Sequence, residues 1–520
     1  MESSVKQFFI PCCQVVANEK CDIPSILVNN SVICNFTASS FPVCTIETGG
    51  FLLLDFGKEL SGGIRLVSGM MKPATLRLRF GESIAEACGE PNMDHAIHDV
   101  VLPLNLLTCM DFGNTGFRYV RLDVLEGQVK LVNAIAIASM QELEQIGSFT
   151  SSDQRLNQIF DTAVYTAHLC IQEHILDGVK RDRLLWGGDL HPITSAILPV
   201  FGSIDALDVT LEQLCFNTKE ECFANNHTSY PLWLIMTIHD WYMHSGDASI
   251  LQKYGDYITK NTQKYLAMVK EDGQLEMPGY LFLDWLSHDD TEGTLAGLYG
   301  LFILAMKAAE NLYCAMHLDT MELVEAQKRV AFKAPFPGRN KSAAALQHLA
   351  GVADRRDILQ AEPFSGISTF IGGYILQCLE PRAALELVKR YWGGMLDMGA
   401  TTFWEDFDLD WLKANPTRID EMPVPNRPNI HADYGRFCYK GVRHSLCHGW
   451  SSGPIPWCIR TILGIKVLEP GLKRIAFAPN LCGLEFAEGN IATPVGKITV
   501  KLRAGKEPEI CTPEGVTVES

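Results

Sequence analysis

A dense group of charged residues occupies positions 177–189, with the sequence DGVKRDRLLWGGD. It holds three carboxylates (Asp177, Asp182 and Asp189), three cations and Trp186. Charge at this density usually forms a solvated, salt-bridged turn, and that is the simplest interpretation. The alternative is a polar pocket for a polyhydroxylated ligand. In such a pocket, carboxylates accept hydrogen bonds from hydroxyl groups and an indole stacks on a sugar ring.

Two later segments favour the pocket. GATTFWEDFD (399–408) places Trp404 and Glu405 where the helical pattern lapses, although a lone acid there more often marks the start of a helix. SLCHGWSSGP (445–454) places His448 beside a tryptophan, although a lone histidine is more often structural. Together the three segments suit the cleavage of glycosidic bonds, which needs one protonated and one ionised carboxyl group. Crowding of like charges raises the pKa of one carboxyl group, so it can stay protonated near neutral pH.

At these motifs the chain resembles the α-L-rhamnosidases of glycoside hydrolase family 78. The family's loop reads approximately DCPxRExRxGWxGD, and the matching residues here are Asp177, Arg181, Arg183, Trp186, Gly188 and Asp189. GATTFWE resembles the family's GATTxWE, whose glutamate is the general base and is Glu405 here. SLCH resembles the family's SxxH, and LDWL at 283–286 resembles its DW motif. The resemblance covers about residues 50–515.

The resemblance implies an inverting hydrolase that releases terminal non-reducing α-L-rhamnose from small rhamnosides, without a cofactor or a metal. Asp182 would be the general acid and Glu405 the general base. The family's usual acid is glutamate, so the shorter Asp182 would have to lie closer to the substrate or act through water. Inversion predicts a separation of ~6.5–9.5 Å between the two carboxyl groups. The residues expected to bind substrate are Asp177, Arg181, Trp186, Asp189, Tyr230, Trp233, Asp284, Trp285, Trp404 and His448.

Two other functions stay open. One is a six-hairpin hydrolase that acts on another sugar, such as an unsaturated uronide. The acidic pocket disfavours this, because a carboxylate on the substrate needs arginine or lysine facing it. The other is a catalytically silent carbohydrate-binding homologue, which the change from glutamate to Asp182 keeps in view because function belongs to the site and not to the fold.

The elements that must position these residues follow from the periodicity of the sequence. Residues 1–145 show alternation typical of strands, as in TLRLRF (75–80), and short β-like runs return after Pro470. Between them lie apolar helical patterns, for which Ser151 or Ser152 is the predicted first N-cap. The clearest helices are predicted over 231–243, 295–313, 368–379 and 383–392.

These patterns favour helical hairpins packed as a toroid or a solenoid, and the family resemblance implies an (α/α)6 barrel. We therefore predict a multidomain protein. An N-terminal β-sandwich (1–148) and a small C-terminal β-sandwich (463–520) would flank an (α/α)6 catalytic domain (149–462). The length of 520 residues also requires more than one hydrophobic core.

The composition of the chain limits which partners it can bind and in which cellular compartment we expect it. The net charge of −17 argues against nucleic acids and anionic membranes, which need a basic patch. The 17 cysteines show no zinc-ligand spacing and suit a reducing compartment. The first residues lack the pattern of a signal peptide, so we expect a cytoplasmic protein. The expected partner is a small-molecule rhamnoside, and a homodimer stays open.

Overall fold

A computed structural model describes residues 4–34, 41–91, 97–219, 222–437 and 439–519. The chain forms an N-terminal region of strands, a long helical region and a C-terminal region of strands, in that order. This multidomain arrangement of sheets around a helical core confirms the coarse prediction from the sequence. All 16 cysteines in the described part of the chain are free thiols.

The N-terminal region is built on one seven-stranded sheet with the order β1-β7-β3-β6-β4-β5, and β2 pairs with β3. A short helix, α1 (Ile84–Cys88), follows β4. The strands are β1 (Val5–Pro11), β2 (Gln14–Asp22), β3 (Cys44–Ser68), β4 (Ala74–Gly81), β5 (Asp99–Leu104), β6 (Cys109–Glu126) and β7 (Val129–Gln141).

The alternation read in residues 75–80 is confirmed in β4. Leu76, Leu78 and Phe80 lie in the buried apolar core of the sheet. Arg77 and Arg79 point to the other face, where they form ion pairs with aspartates of neighbouring strands. Successive side chains of a strand point to opposite faces, so the pattern of the sequence fixes which face is buried.

The helical region carries the predicted helices 231–243, 295–313, 368–379 and 383–392 as α5, α7, α11 and α12. Its first N-cap is Asp153, whose side chain accepts the Leu156 N–H, so the prediction of Ser151 or Ser152 is wrong. The helices are α2 (Gln154–Cys170), α3 (Gly187–Phe201), α4 (Asp205–Phe216), α5 (Tyr230–Ser245), α6 (Ala248–Leu266), α7 (Thr291–Ala315), α8 (Met321–Lys333), α9 (Lys341–Ala350), α10 (Arg356–Gln360), α11 (Thr369–Cys378), α12 (Pro381–Asp397) and α13 (Pro454–Trp457).

Helix α7 is a long and strongly apolar helix of this region. By length and composition alone it could cross a membrane, but 72% of its most apolar 18-residue window is buried inside the protein. Its side chains Leu298, Phe302 and Met306 are fully buried in the core of the helical region. Burial against neighbouring helices therefore accounts for its composition.

The C-terminal strands form two small sheets with the orders β13-β12-β11-β8 and β14-β10-β9. β8 precedes the helices in sequence, so the chain contributes to this region before it enters the helical one. Buried residues such as Ile475 and Val500 share one apolar core with the helices. The strands are β8 (Ser148–Ser151), β9 (Ile465–Val467), β10 (Arg474–Phe477), β11 (Phe486–Thr493), β12 (Gly496–Arg503), β13 (Glu509–Cys511) and β14 (Thr517–Glu519).

Candidate active site

The first half of the charged loop between α2 and α3, residues 177–181, is buried and not a solvated turn. Asp177 is almost fully buried. Its carboxylate accepts the Leu184 N–H at 3.0 Å, and its backbone carbonyl accepts the Gly449 N–H at 2.8 Å. Asp182 and Arg183 adopt φ angles of 59° and 53°, which residues other than glycine seldom adopt. Backbone strain of this kind costs energy and is concentrated at functional sites.

Arg181 joins the two carboxylates that the sequence predicts as the catalytic pair. Its guanidinium donates to both oxygens of Glu405, and its Nη1 lies 3.2 Å from Oδ1 of Asp182. The guanidinium also lies over the ring of Tyr439, 4.6 Å from the ring centroid. The side chain of Glu405 is 1% exposed and that of Asp182 is 16% exposed. The two carboxylates therefore share one arginine, Glu405 in the interior and Asp182 nearer the surface.

Glu405 is held from the backbone as well. It lies beyond α12, where its N–H donates to the carbonyl of Ser445 at 3.0 Å and its Oε2 accepts the Ser445 N–H at 3.2 Å. Burial raises the pKa of Glu405 above its ordinary value, whereas Arg181 and the Ser445 N–H act to lower it. The ionised form of this buried carboxylate therefore depends on Arg181.

His448 lies at the centre of three carboxyl groups. Its Nε2 is 3.5 Å from Glu405, 3.8 Å from Asp189 and 3.9 Å from Asp177. Burial, together with Arg181, holds the pKa of His448 well below its ordinary value. Burial and the neighbouring carboxylates raise the pKa of Asp177 and Asp189 well above theirs. The cluster thus combines a neutral imidazole with carboxyl groups that keep their protons to higher pH than free ones.

A cavity opens beside this cluster. Five of the residues predicted from the sequence line it: Asp189, Tyr230, Asp284, Trp285 and Glu405. Asp284 is oriented by two donors, because its carboxylate accepts the Ser287 N–H at 2.9 Å and the Ser342 hydroxyl at 2.6 Å. The cavity therefore presents fixed carboxylates alongside aromatic side chains.

The other predicted residues lie behind or beside the lining. Asp177, Arg181, Asp182 and His448 are gathered around Glu405. Trp186 caps the start of α3 and packs edge-to-face on Tyr230. Trp233 and Trp404 are 0% exposed. Trp233 packs on Phe370, which lines the cavity, and Trp404 packs on Phe407 in the core. These two indoles are placed to support the walls of the cavity.

Several lining residues were not predicted as site residues from the sequence. They are Phe282, Ser368, Phe370, Asp406, Phe437, Tyr439 and Trp450. Asp406 and Trp450 lie inside the motifs already singled out, so their position was the available signal. Burial raises the pKa of Asp406, whose backbone N–H donates to Nε2 of His444 at 2.8 Å. The phenylalanines among these residues carry no such signal, because an isolated phenylalanine resembles an ordinary core residue.

Residues 144–298 match the family model of the bacterial α-L-rhamnosidase six-hairpin glycosidase domain. The match covers less than a third of the chain. The family resemblance read from the sequence is thereby confirmed. The matched part of the glycosidase domain contains the charged loop, Asp284 and Trp285, whereas Glu405 and His448 lie beyond it.

Solved rhamnosidase structures share the fold of the chain. A family 78 rhamnosidase of Bacillus sp. GL1 is 21% identical with a TM-score of 0.73, over 90% of this chain and 52% of that one. A rhamnosidase from Klebsiella oxytoca with rhamnose bound is 20% identical with a TM-score of 0.69, over 88% and 96%. The Streptomyces avermitilis α-L-rhamnosidase complexed with L-rhamnose is 16% identical with a TM-score of 0.69, over 90% and 48%. The chain thus spans about half of two of these proteins and nearly all of the third. No curated protein matches it in sequence.

Proposed function

We propose that the chain is an inverting glycoside hydrolase that releases terminal α-L-rhamnose from small rhamnosides. The observation that carries the proposal is the position of Glu405, a buried carboxylate that lines the cavity and is paired with Arg181. The pairing favours the ionised form, which a general base needs to take a proton from water. Asp182 is the proposed general acid that protonates the departing oxygen, as the family resemblance implies.

The lining of the cavity suits a deoxy sugar. Carboxylates such as Asp189 and Asp284 accept hydrogen bonds from sugar hydroxyl groups, whereas Tyr230 and Trp285 offer apolar faces to the ring and to the methyl group of rhamnose. An acidic cavity is unfavourable for a uronide, whose own carboxylate would be repelled. The Klebsiella and Streptomyces structures hold rhamnose, which supports the same sugar here.

Asp189 is a second candidate for the general acid. It lines the cavity, and burial beside Glu405 raises its pKa well above the ordinary value, so it keeps a proton to donate. Asp182 is not among the residues that line the cavity. The two candidates make different predictions for substrates with different leaving groups, because an activated leaving group needs little help from an acid.

Several further predictions belong with this proposal. We propose that the helices form an (α/α)6 barrel flanked by two β-sandwiches, with the limits predicted from the sequence. We also propose that the protein is cytoplasmic, a reducing compartment in which its cysteines stay as free thiols. Size-exclusion chromatography with light scattering would decide between a monomer and a homodimer.

The replacement of Glu405 by glutamine tests the proposal. We expect Glu405→Gln to lower kcat on a nitrophenyl α-L-rhamnoside by about 10²–10⁴-fold, the usual contribution of a general base. Binding of rhamnose, measured by calorimetry, should persist. The control is Glu488→Gln in β11, where the Glu488 side chain is 40% exposed and pairs with Arg503 at 2.9 Å. Wild-type protein that cleaves unsaturated uronides and no rhamnoside, or that binds rhamnose without turnover, would overturn the proposal.

The acid is identified by comparing Asp182→Asn with Asp189→Asn. The variant that lacks the acid should retain most activity on an activated nitrophenyl rhamnoside and lose it on an alkyl rhamnoside, whose leaving oxygen must be protonated. Equal losses on both substrates would remove the mutated residue from that role and indicate substrate binding instead.

A further inference from the structure

The N-terminal region contacts the charged loop of the candidate active site through a buried lysine of that loop. Lys180, one residue before Arg181, is 2% exposed. Its Nζ lies 3.2 Å from Glu82, in the turn between β4 and α1, and 3.1 Å from Glu86, within α1. Both glutamates are almost fully buried. A buried charge needs such partners, because removing one leaves the other uncompensated.

The same lysine holds the segment that carries Ser445. Its Nζ donates to the carbonyls of Val442 at 2.6 Å and His444 at 2.8 Å. Glu82 holds this segment as well, because its carboxylate accepts the Leu446 N–H at 2.6 Å and the Ser445 hydroxyl at 3.4 Å. Charge-assisted hydrogen bonds in a buried setting are stronger than neutral ones. Lys180 and Glu82 therefore fix the backbone of residues 442–446.

That backbone is the one that contacts Glu405. The Ser445 N–H donates to Oε2 of Glu405, and the Ser445 carbonyl accepts the Glu405 N–H. Glu82 is thus connected to Glu405 by hydrogen bonds through one intervening residue, Ser445. Lys180 is adjacent in sequence to Arg181, the cation paired with Glu405. Both routes lead from the N-terminal region to the same carboxylate.

The group Glu82, Glu86 and His431 has the composition of a metal site, and these three residues form the one such group in the described part of the chain. The contacts of Lys180 argue against that use, since its ammonium group already supplies a positive charge to both glutamates. His431 is also engaged, with Ser83 at 2.7 Å and the carbonyl of His444 at 2.8 Å. The cluster therefore serves to hold backbone segments together.

We propose that Glu82 and Lys180 are positioning residues for the hydrolysis proposed above, and that the N-terminal β region is an integral part of the active site. Glu82 acts through Ser445 on Glu405, and Lys180 acts through its own loop on Arg181 and Asp182. Neither touches the substrate. The inference rests on the proposed function, because its readout is the ionisation and turnover of the catalytic base.

The test is Glu82→Gln, which keeps the shape of the side chain and replaces one acceptor oxygen by an amide NH2 donor, at a carboxyl group whose pKa burial already raises to about 8. We expect kcat on a nitrophenyl α-L-rhamnoside to fall by about tenfold or more while KM changes by less than about threefold, the split expected when catalytic geometry is lost and binding is kept. The acidic limb of the kcat–pH profile should move to higher pH, because a displaced Ser445 N–H no longer lowers the pKa of Glu405. Arg181, Asp182, Asp189 and His448 also face Glu405 and are unchanged in this variant.

The matched control is Asp123→Asn, which breaks partly buried ion pairs of Asp123 in the N-terminal sheet. The side-chain hydrogen bonds described for Asp123 all involve Arg79 and Arg121, within that sheet. If Glu82→Gln does not fold, Glu82→Asp keeps the carboxyl group, retracts it by one methylene and should show the same changes at smaller size.

Two results would contradict the inference. If Glu82→Gln loses thermal stability as Asp123→Asn does but keeps the wild-type kcat and pH profile, the network is structural only, and the proposed hydrolase function stands. If the wild-type protein hydrolyses no rhamnoside, the proposed function fails and this inference fails with it.

Discussion

Replacement of Arg181 by methionine isolates the contribution of one buried cation to the base. Arg181 is 5% exposed, lies between Glu405 and Asp182, and packs its guanidinium over Tyr439. Methionine is long, flexible and apolar, so it can keep the contact with the ring while the charge is lost. The substitution therefore changes the electrostatics of the site more than its packing.

The size of the effect follows from the burial of the pair. Breaking a buried ion pair by removing one partner costs about 3–5 kcal/mol, because the remaining charge is left uncompensated. Each ~1.4 kcal/mol is a factor of ten, so the ionised fraction of Glu405 below its pKa should fall by about 10²–10⁴-fold. Burial already raises the pKa of Glu405, and Arg181 is the largest influence that lowers it. Without Arg181 that pKa rises further.

The assay is kcat for a nitrophenyl α-L-rhamnoside across the acidic and neutral pH range. A general base must be ionised, so the acidic limb of the Arg181→Met profile should move to higher pH, and activity should recover as the pH rises. Arg183→Met is the control, because Arg183 donates to the Val179 carbonyl and to Asn114. An Arg181→Met profile that keeps the wild-type acidic limb would refute the assignment of Glu405 as a base tuned by this arginine.

Two further predictions concern the cavity wall. Burial and Glu405 raise the pKa of Asp189, so the stability that Asp189 contributes is fully present below its unfolded pKa and is lost as pH rises through its folded pKa. Asp189→Asn removes this pH-dependent loss of stability, so the Tm of the variant should rise relative to the Tm of the wild type as the pH rises. A Tm difference that does not change with pH would contradict a raised pKa for Asp189. Trp285→Ala should raise KM for a nitrophenyl rhamnoside by about tenfold, since loss of an aromatic contact costs ~1–2 kcal/mol, and an unchanged KM would remove Trp285 from the sugar site.

The secondary structure could be predicted from the sequence where the spacing of apolar residues matches the face that an element buries. Strand β4 and helices α5, α7, α11 and α12 are examples, because their apolar spacing matches the face that each one buries. The N-cap of α2 shows where this fails. Ser151, Ser152 and Asp153 are all good caps by type, and the sheet decides between them, because Ser151 pairs with Ala487 of β11. That partner is more than 300 residues away in sequence and leaves no local signal.

The candidate site could be predicted in part, for a similar reason. Asp182, Glu405 and His448 lie in segments whose composition is unusual by itself, and the structure gathers those segments around Arg181. Glu82 could not be found this way, because an acid between a strand and a short helix is most often solvated. Its role in the interior comes from distant partners, the buried Lys180 and the backbone N–H of Leu446.

Adjacent residues of the charged loop serve opposite sides of the site. Lys180 turns to Glu82 and Glu86 of the N-terminal region, whereas Arg181 turns to Glu405. A shift of the loop toward one side would weaken the other pair, and each pair is too buried for water to replace the lost partner. The two cations therefore constrain the loop jointly, and this constraint can hold Asp182 and Arg183 in their strained backbone conformations. On this reasoning, the N-terminal strands act on the same carboxylates as the helical region, although they supply none of the residues that line the cavity.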